Sequence, residues 1–186
     1  LAGLAKLNLF ATFSLSTNLT MFHSIANFET VWNEEREATL RIFRLLQDKS
    51  FHQKPHNDVR DPATLASHIT HTIGEMLLRT GIEVEGYEED GGDAWTVAEL
   101  CTAYEKQSAA ALLQIKQHWT DASLAEMHDM YGEQWSKARV LQVLVLHQVH
   151  HRGQLTVVMR LLGMPVTGIF GPTREEWVQM GLPAMN

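Results

Sequence analysis

The segment from Val140 to Leu162 limits this chain more than any other. Val140, Leu144, His147, His151, Leu155, Val158 and Leu162 recur at intervals of three and four, the period of a helix with one buried face. Two of these inward positions are histidine. His147 and His151 are four residues apart, so their imidazoles leave the same face one turn from each other, the spacing at which two rings bind one metal ion. Buried without partners, each ring would cost about 1–3 kcal/mol of unmet hydrogen bonding. Carboxylates, backbone carbonyls or a shared metal can each meet that need. The pair alone is the ordinary pattern of satisfied core histidines.

A third histidine shifts the balance. Leu65, His68, Ile69, Thr72, Ile73 and Met76 form a second apolar stripe, predicted as a helix opening at Pro62 and ending near Gly81. His68 lies on that stripe, and three imidazoles converging from two helices favour a metal site. His71, one turn further, and His150, rotated about 60° from His147, are the second choices as ligands. Glu75, seven residues after His68, falls on nearly the same face and is a candidate to hydrogen-bond the distal nitrogen of a ligand or a bound water. His23, His52, His56, His118 and His128 fall in loops or at helix ends and read as surface residues.

Two further helices complete the pattern. Phe28 to Leu46 is amphipathic through Phe28, Val31, Trp32, Ala38, Ile42, Leu45 and Leu46. Another begins at the capping box Thr96-Val97-Ala98-Glu99, carries Leu100, Tyr104, Ala111, Leu112 and Ile115, and stops at Thr120-Asp121. Asp48 to Pro62 is a loop, Ile82 to Ala94 a solvated acidic connection, and Met130 to Trp135 a short link. The Gly- and Pro-rich tail from Met164 wraps the surface, with a turn of helix at Thr173 to Met180. Four amphipathic helices without alternating strands predict an all-α four-helix bundle with long connections and an irregular C-terminal tail.

The domain is predicted to span Met21 to Asn186. Leu1 to Thr20 reads as an N-terminal extension outside the fold: its apolar run is broken by Asn8, Ser14 and Ser16, and no small-residue cleavage site follows. No stretch reaches the roughly 18 apolar residues of a membrane span. A net charge of -7 without a Lys/Arg cluster argues against nucleic acid. The single Cys101 makes no internal disulfide, fits a cytoplasmic location and reads as an inert thiol in a helix. The five tryptophans, Trp32, Trp95, Trp119, Trp135 and Trp177, read as core or interface anchors. Arg152 is turned about 100° from His151 and is expected to pair with a neighbouring helix or subunit.

Leu65-Ala-Ser-His68, His147-Gln-Val-His-His-Arg-Gly-Gln154 and Gly168-Ile-Phe-Gly-Pro-Thr-Arg-Glu-Glu-Trp177 together resemble the DinB/YfiT superfamily of metal-binding four-helix bundles, and Met130-Tyr-Gly-Glu-Gln-Trp135 is similar to one branch of it. The resemblance covers roughly Met21 to Asn186. It implies metal ligands at His68, His147 and His151, nickel or zinc as the divalent ion, and a homodimer. Characterised members include thiol S-transferases, a mycothiol-dependent isomerase and the metal-binding domain of sulfoxide synthases.

Three neutral histidines leave a divalent ion with its full charge and open positions, the arrangement of catalytic sites. The expectation is a metal-dependent transferase that activates a low-molecular-weight thiol against a small electrophile, with Glu75 and Tyr131 as candidates for orienting substrate or moving a proton. A metal-dependent hydrolase and a non-catalytic metal-binding dimer are the alternatives.

Overall fold

A computed structural model of the chain describes residues 20–89 and 96–184. Four long helices form it: α1 (Ile25–Phe43), α3 (Pro62–Leu78), α4 (Val97–His118) and α5 (Lys137–Leu161). The shorter α2 (Asp48–Phe51) and α6 (Arg174–Gln179) lie in the first connection and the tail. The expectations for residues 1–19 and for Asp90 to Trp95, Trp95 included, fall outside the described residues.

Each long helix starts on a side chain that satisfies an otherwise unpaired amide. Ser24 caps α1, Asp61 caps α3 by accepting from Thr64 N at 2.7 Å, and Ser136 caps α5. The predicted capping box of α4 is present, with Thr96 and Glu99 exchanging side-chain and backbone hydrogen bonds. Helix α1 begins and ends three residues earlier than its apolar stripe suggests, because Ser24 starts it and Leu46, though buried, belongs to the turn beyond.

Helix α1 packs on α4 and α5, and α3 packs on the same two. The first two long helices, α1 and α3, therefore lie across the bundle from each other, which explains why a long connection separates them. Phe28, Trp32, Ile42, Ile69, Ile73, Leu100, Ile115 and Leu144 fill the centre and are fully buried. Polar bonds fix the helices relative to one another within this core. Trp32 Nε1 donates to Ser108 O at 3.0 Å, joining α1 to α4. Tyr104 donates to Gln148 Oε1 at 3.1 Å, and Gln148 Nε2 donates to Ile69 O at 2.8 Å, so one buried amide ties α4, α5 and α3 together.

Three connections depart from the sequence reading, the first being the predicted loop Asp48 to Pro62, which opens with helix α2. The segment predicted as a short link is a β-hairpin: β1 (Met127–Met130) pairs antiparallel with β2 (Glu133–Ser136), Met130 opposite Glu133. Its turn residues Tyr131 and Gly132 both have positive φ, 61° and 86°, as a two-residue type I′ turn requires. The strands are too short for alternation to register as a signal, and tyrosine is not the usual first residue of such a turn. The acidic connection also differs, since Ile82 and Val84 are buried and Tyr87 packs on Gly74 of α3 while the glutamates stay exposed. Among the described residues no helix is long and apolar enough to cross a membrane.

Candidate metal centre

His68, His147 and His151 meet where α3 and α5 face each other. Their ring centroids lie 4.9 Å (68–147), 4.5 Å (68–151) and 4.3 Å (147–151) apart. One nitrogen from each falls within 4.8 Å of the other two, and all three residues are half-buried. The register comes from the buried bonds already described: Gln148, next to His147, is held by Ile69, next to His68.

The outer nitrogens explain why the inner ones suit a cation. His151 Nδ1 lies 2.7 Å from Gln154 Oε1, which can only accept, so the proton sits on Nδ1 and Nε2 carries a lone pair. His147 Nδ1 faces Thr72 Oγ1 at 3.4 Å, and that hydroxyl already donates to His68 O at 2.9 Å. With both Nδ1 atoms protonated, the two Nε2 lone pairs point at each other across 3.1 Å, where no hydrogen bond can join them. A cation between them removes the repulsion. Two nitrogens about 2.05 Å from one ion stand about 3.3 Å apart at a tetrahedral angle and about 2.9 Å apart at a right angle. The observed separation lies between these, so the donor set fits a divalent ion. Without one, moving the His147 proton to Nε2 restores a hydrogen bond to His151 and gives up the contact with Thr72.

Electrostatics keeps the rings neutral. Burial, the repulsion that a protonated His151 would add, and the Arg60 guanidinium lower the His68 pKa to about 4. Burial and the neighbouring histidines take His147 to about 3, and burial chiefly lowers His151 as well. Neutral imidazole is the form that binds metal.

The two second-choice histidines stay outside the triangle. His71 packs its ring against Tyr87 at 4.9 Å, and exposed His150 accepts from Gln154 Nε2 at 3.1 Å. Both still line the cavity that opens over the triad, about 650 Å³ and walled also by Met76, Met130, Val143 and Trp135.

Glu75 and Tyr131 also reach this cavity, but as partners of each other. The Tyr131 hydroxyl donates to Glu75 Oε2 at 2.5 Å, and Arg79 Nε donates to Oε1 at 2.7 Å while its guanidinium stacks on the Tyr131 ring. Glu75 is expected from the sequence to brace a ligand's distal nitrogen or a bound water; for two of the ligands that place is taken, since Thr72 faces His147 and Gln154 holds His151. Burial first, then the Glu75 carboxylate, pushes the Tyr131 hydroxyl pKa up, so the pair holds its proton firmly.

One further expectation changes. His128, read as a surface residue, is half-buried on β1, with Nε2 enclosed and without a partner among the described residues. Trp135, read as a core or interface anchor, does pack against the core and also forms cavity wall, with Nε1 donating to Glu133 at 2.7 Å. Gln154 braces His151. Arg152 does pair with a neighbouring helix, through Glu35 of α1 at 2.6 Å. Cys101 is half-buried, and burial raises its thiol pKa.

The sequence pattern of the DinB family matches residues 21–182. This chain belongs to the DinB family. It is 33% identical over 164 residues to the uncharacterized protein YrdA of Bacillus subtilis strain 168, covering 88% of this chain and 98% of that one. It is also similar to the crystal structure of a DinB-like protein from Bacillus cereus ATCC 10987, at 31% identity and a TM-score of 0.76, covering 81% of this chain and all of the other. A DinB-like protein of Bacillus subtilis, YjoA, shares the fold at 18% identity and a TM-score of 0.59, over 75% of this chain and 96% of that one. In this DinB-family member, the three histidines implied by the resemblance are the three that the fold brings together.

The Glu35–Arg152 pair, the Gln148 bridge and the hairpin wall were not read from the sequence. The first two are polar residues on or beside apolar stripes, a signal that says a partner is needed without saying which.

Proposed function

We propose that this DinB-family protein is a divalent-metal-dependent enzyme that transfers a low-molecular-weight thiol to a small electrophilic substrate, with zinc or nickel held by His68, His147 and His151. The observation that carries the reading is the convergence of three imidazole nitrogens, His147 Nε2 and His151 Nε2 only 3.1 Å apart, in a large, mostly apolar cavity. A divalent ion held by neutral ligands and open to a cavity supplies one thing, a lowered pKa for a thiol or water that joins it.

The chain's own residues supply the rest. Thr72 and Gln154 orient the imidazoles. Met76, Met130, Val143 and Trp135 exclude bulk water around the reacting groups, which strengthens every electrostatic interaction there. Tyr131 and Glu75 share one strongly held proton at the cavity wall, 2.5 Å from oxygen to oxygen, and the Tyr131 hydroxyl is the group proposed to orient substrate through a hydrogen bond. Tyrosine at a positive-φ position, where asparagine or glycine costs less, supports a role for that side chain beyond the turn.

The proposal includes a homodimer and a cytoplasmic location. Leu146, Val157 and Leu161 lie exposed along one face of α5, with open space over Gly153 between them, and this face is proposed to meet a second copy.

The test is the metal content of protein purified without chelator or affinity-tag metal, alongside His68→Ala, His147→Ala and His151→Ala, followed by a panel of thiols and electrophiles. About one ion per chain, lost in each variant, with metal-dependent thiol consumption, is the expected result. Hydrolysis of the electrophiles without thiol would move the assignment to a hydrolase. Bound metal that stabilises the fold while no small molecule binds or reacts would make the site structural. A parent that takes up neither zinc nor nickel overturns the metal reading.

A further inference from the structure

We propose that Arg60 recognises a carboxylate on the small molecule that enters the histidine cavity, an inference that rests on reading the cavity as a metal-dependent site. The charged side chains lining it are Arg60, Glu75 and Glu133. Both carboxylates are already matched. Glu75 accepts from Arg79 and Tyr131, and Glu133 accepts from Trp135 Nε1 and lies 3.7 Å from Arg139. Neither matching arginine lines the cavity, so their charges are spent on the walls. The carboxylate next in sequence to Arg60, Asp61, caps α3.

Arg60 is different. Among the described residues its side chain has no hydrogen-bond or ion-pair partner, although it is the cavity's one lining cation. An exposed arginine on a convex surface needs no partner. On the rim of a concave site with apolar walls, an unmatched cation focuses positive potential inward, and a metal ion on the floor adds to it. The planar guanidinium offers paired N–H donors in the geometry of a carboxylate. The charge count favours a monoanion, because among the described residues one guanidinium is the lining's unmatched charge. Met76, Met130, Val143 and Trp135 give the cavity apolar wall. The ligand class is therefore a small molecule with an apolar body, a carboxylate at one end, and at the other a group that reaches the histidines.

The test uses the full chain loaded with cobalt(II), whose visible spectrum reports thiolate binding. The probes are 3-mercaptopropionate and its longer ω-mercapto homologues, each compared with the carboxamide of equal length. The parent should prefer the best-fitting carboxylate over its amide by about tenfold to a hundredfold, as expected for one charge-assisted contact. Arg60→Gln should erase that preference while leaving cobalt uptake and amide affinity unchanged, and Arg60→Lys should keep part of it. Equal affinities in the parent, or a preference that survives in Arg60→Gln, overturn the assignment to Arg60 while leaving the metal site standing. Failure to take up cobalt removes the metal reading and this inference with it.

Discussion

Arg152 donates from Nη2 to Glu35 Oε2 at 2.6 Å, with both side chains almost wholly buried, one residue beyond the histidine that closes the triad. Its Nη1 also donates to Glu35 O and Thr39 Oγ1, so the guanidinium is bonded to α1 at three points. The pair therefore sets where α5 sits, and with it where His151 points. Removing one partner strands a buried charge, which costs about 3–5 kcal/mol, whereas replacing both by apolar residues of similar volume is often neutral. Glu35→Leu and Arg152→Met should each lower the urea midpoint strongly, and the double variant should recover most of the loss. Additive losses in the double variant would show that the two residues act separately.

Gly74 is held to glycine by its neighbour rather than by its backbone. A Cβ added there would lie 2.2 Å from the Tyr87 ring and 2.4 Å from the Tyr87 Cβ. Helix propensity alone favours alanine by about 1 kcal/mol, so the two effects oppose each other. The clash should win, because contact with Cβ as well as the ring means that the backbone after α3 must move. We expect Gly74→Ala to destabilise by about 1–3 kcal/mol, measured by denaturant unfolding, and Gly74→Ala with Tyr87→Ala to regain part of that loss.

The long helices and the triad were legible because each follows from one-dimensional spacing. Apolar residues at three and four gave α1, α3, α4 and α5, and His147, His151 and His68 stood on the same stripes. Whatever depended on two segments meeting stayed hidden. Glu75 was placed correctly on the face of His68, yet its partner, Tyr131, lies 56 residues away on a hairpin whose strands are too short to show a period. Gln148 and Arg152 carry the same lesson, since a polar residue in a core needs a partner and the sequence does not name it.

The histidines make the metal-free protein acid-sensitive. His68 and His147 have folded-state pKa values lowered to about 4 and about 3 from an ordinary 6.5, mainly by burial. Below the unfolded value the unfolded chain binds protons that the folded chain refuses, so stability rises with pH. This penalty is absent above about pH 7. It grows as the pH falls from about 6.5 and levels off once the folded values are passed. Metal-free protein should therefore show a lower urea midpoint at pH 5 than at pH 7.5, and His147→Leu should reduce that slope. A midpoint that is flat or rises as the pH falls over this range would contradict the burial argument.

The hairpin turn offers a way to separate the fold from the chemistry at Tyr131. Asparagine is favoured at the first position of a type I′ turn, and tyrosine at φ 61° costs about 1 kcal/mol or more. Tyr131→Asn relieves that cost but removes the hydroxyl bound to Glu75 and the ring under Arg79, while Tyr131→Phe keeps the ring and the strained turn and removes only the hydroxyl. If the hydroxyl serves the reaction, both variants should retain the parent's metal content and lose catalytic turnover by a similar factor, about a hundredfold for a positioned hydrogen-bond donor. Their stabilities should differ, with Tyr131→Asn the more stable of the two. If Tyr131→Phe keeps full turnover and only Tyr131→Asn loses it, the ring rather than the proton is what the cavity uses, and the Glu75–Tyr131 bond serves to hold the hairpin against α3.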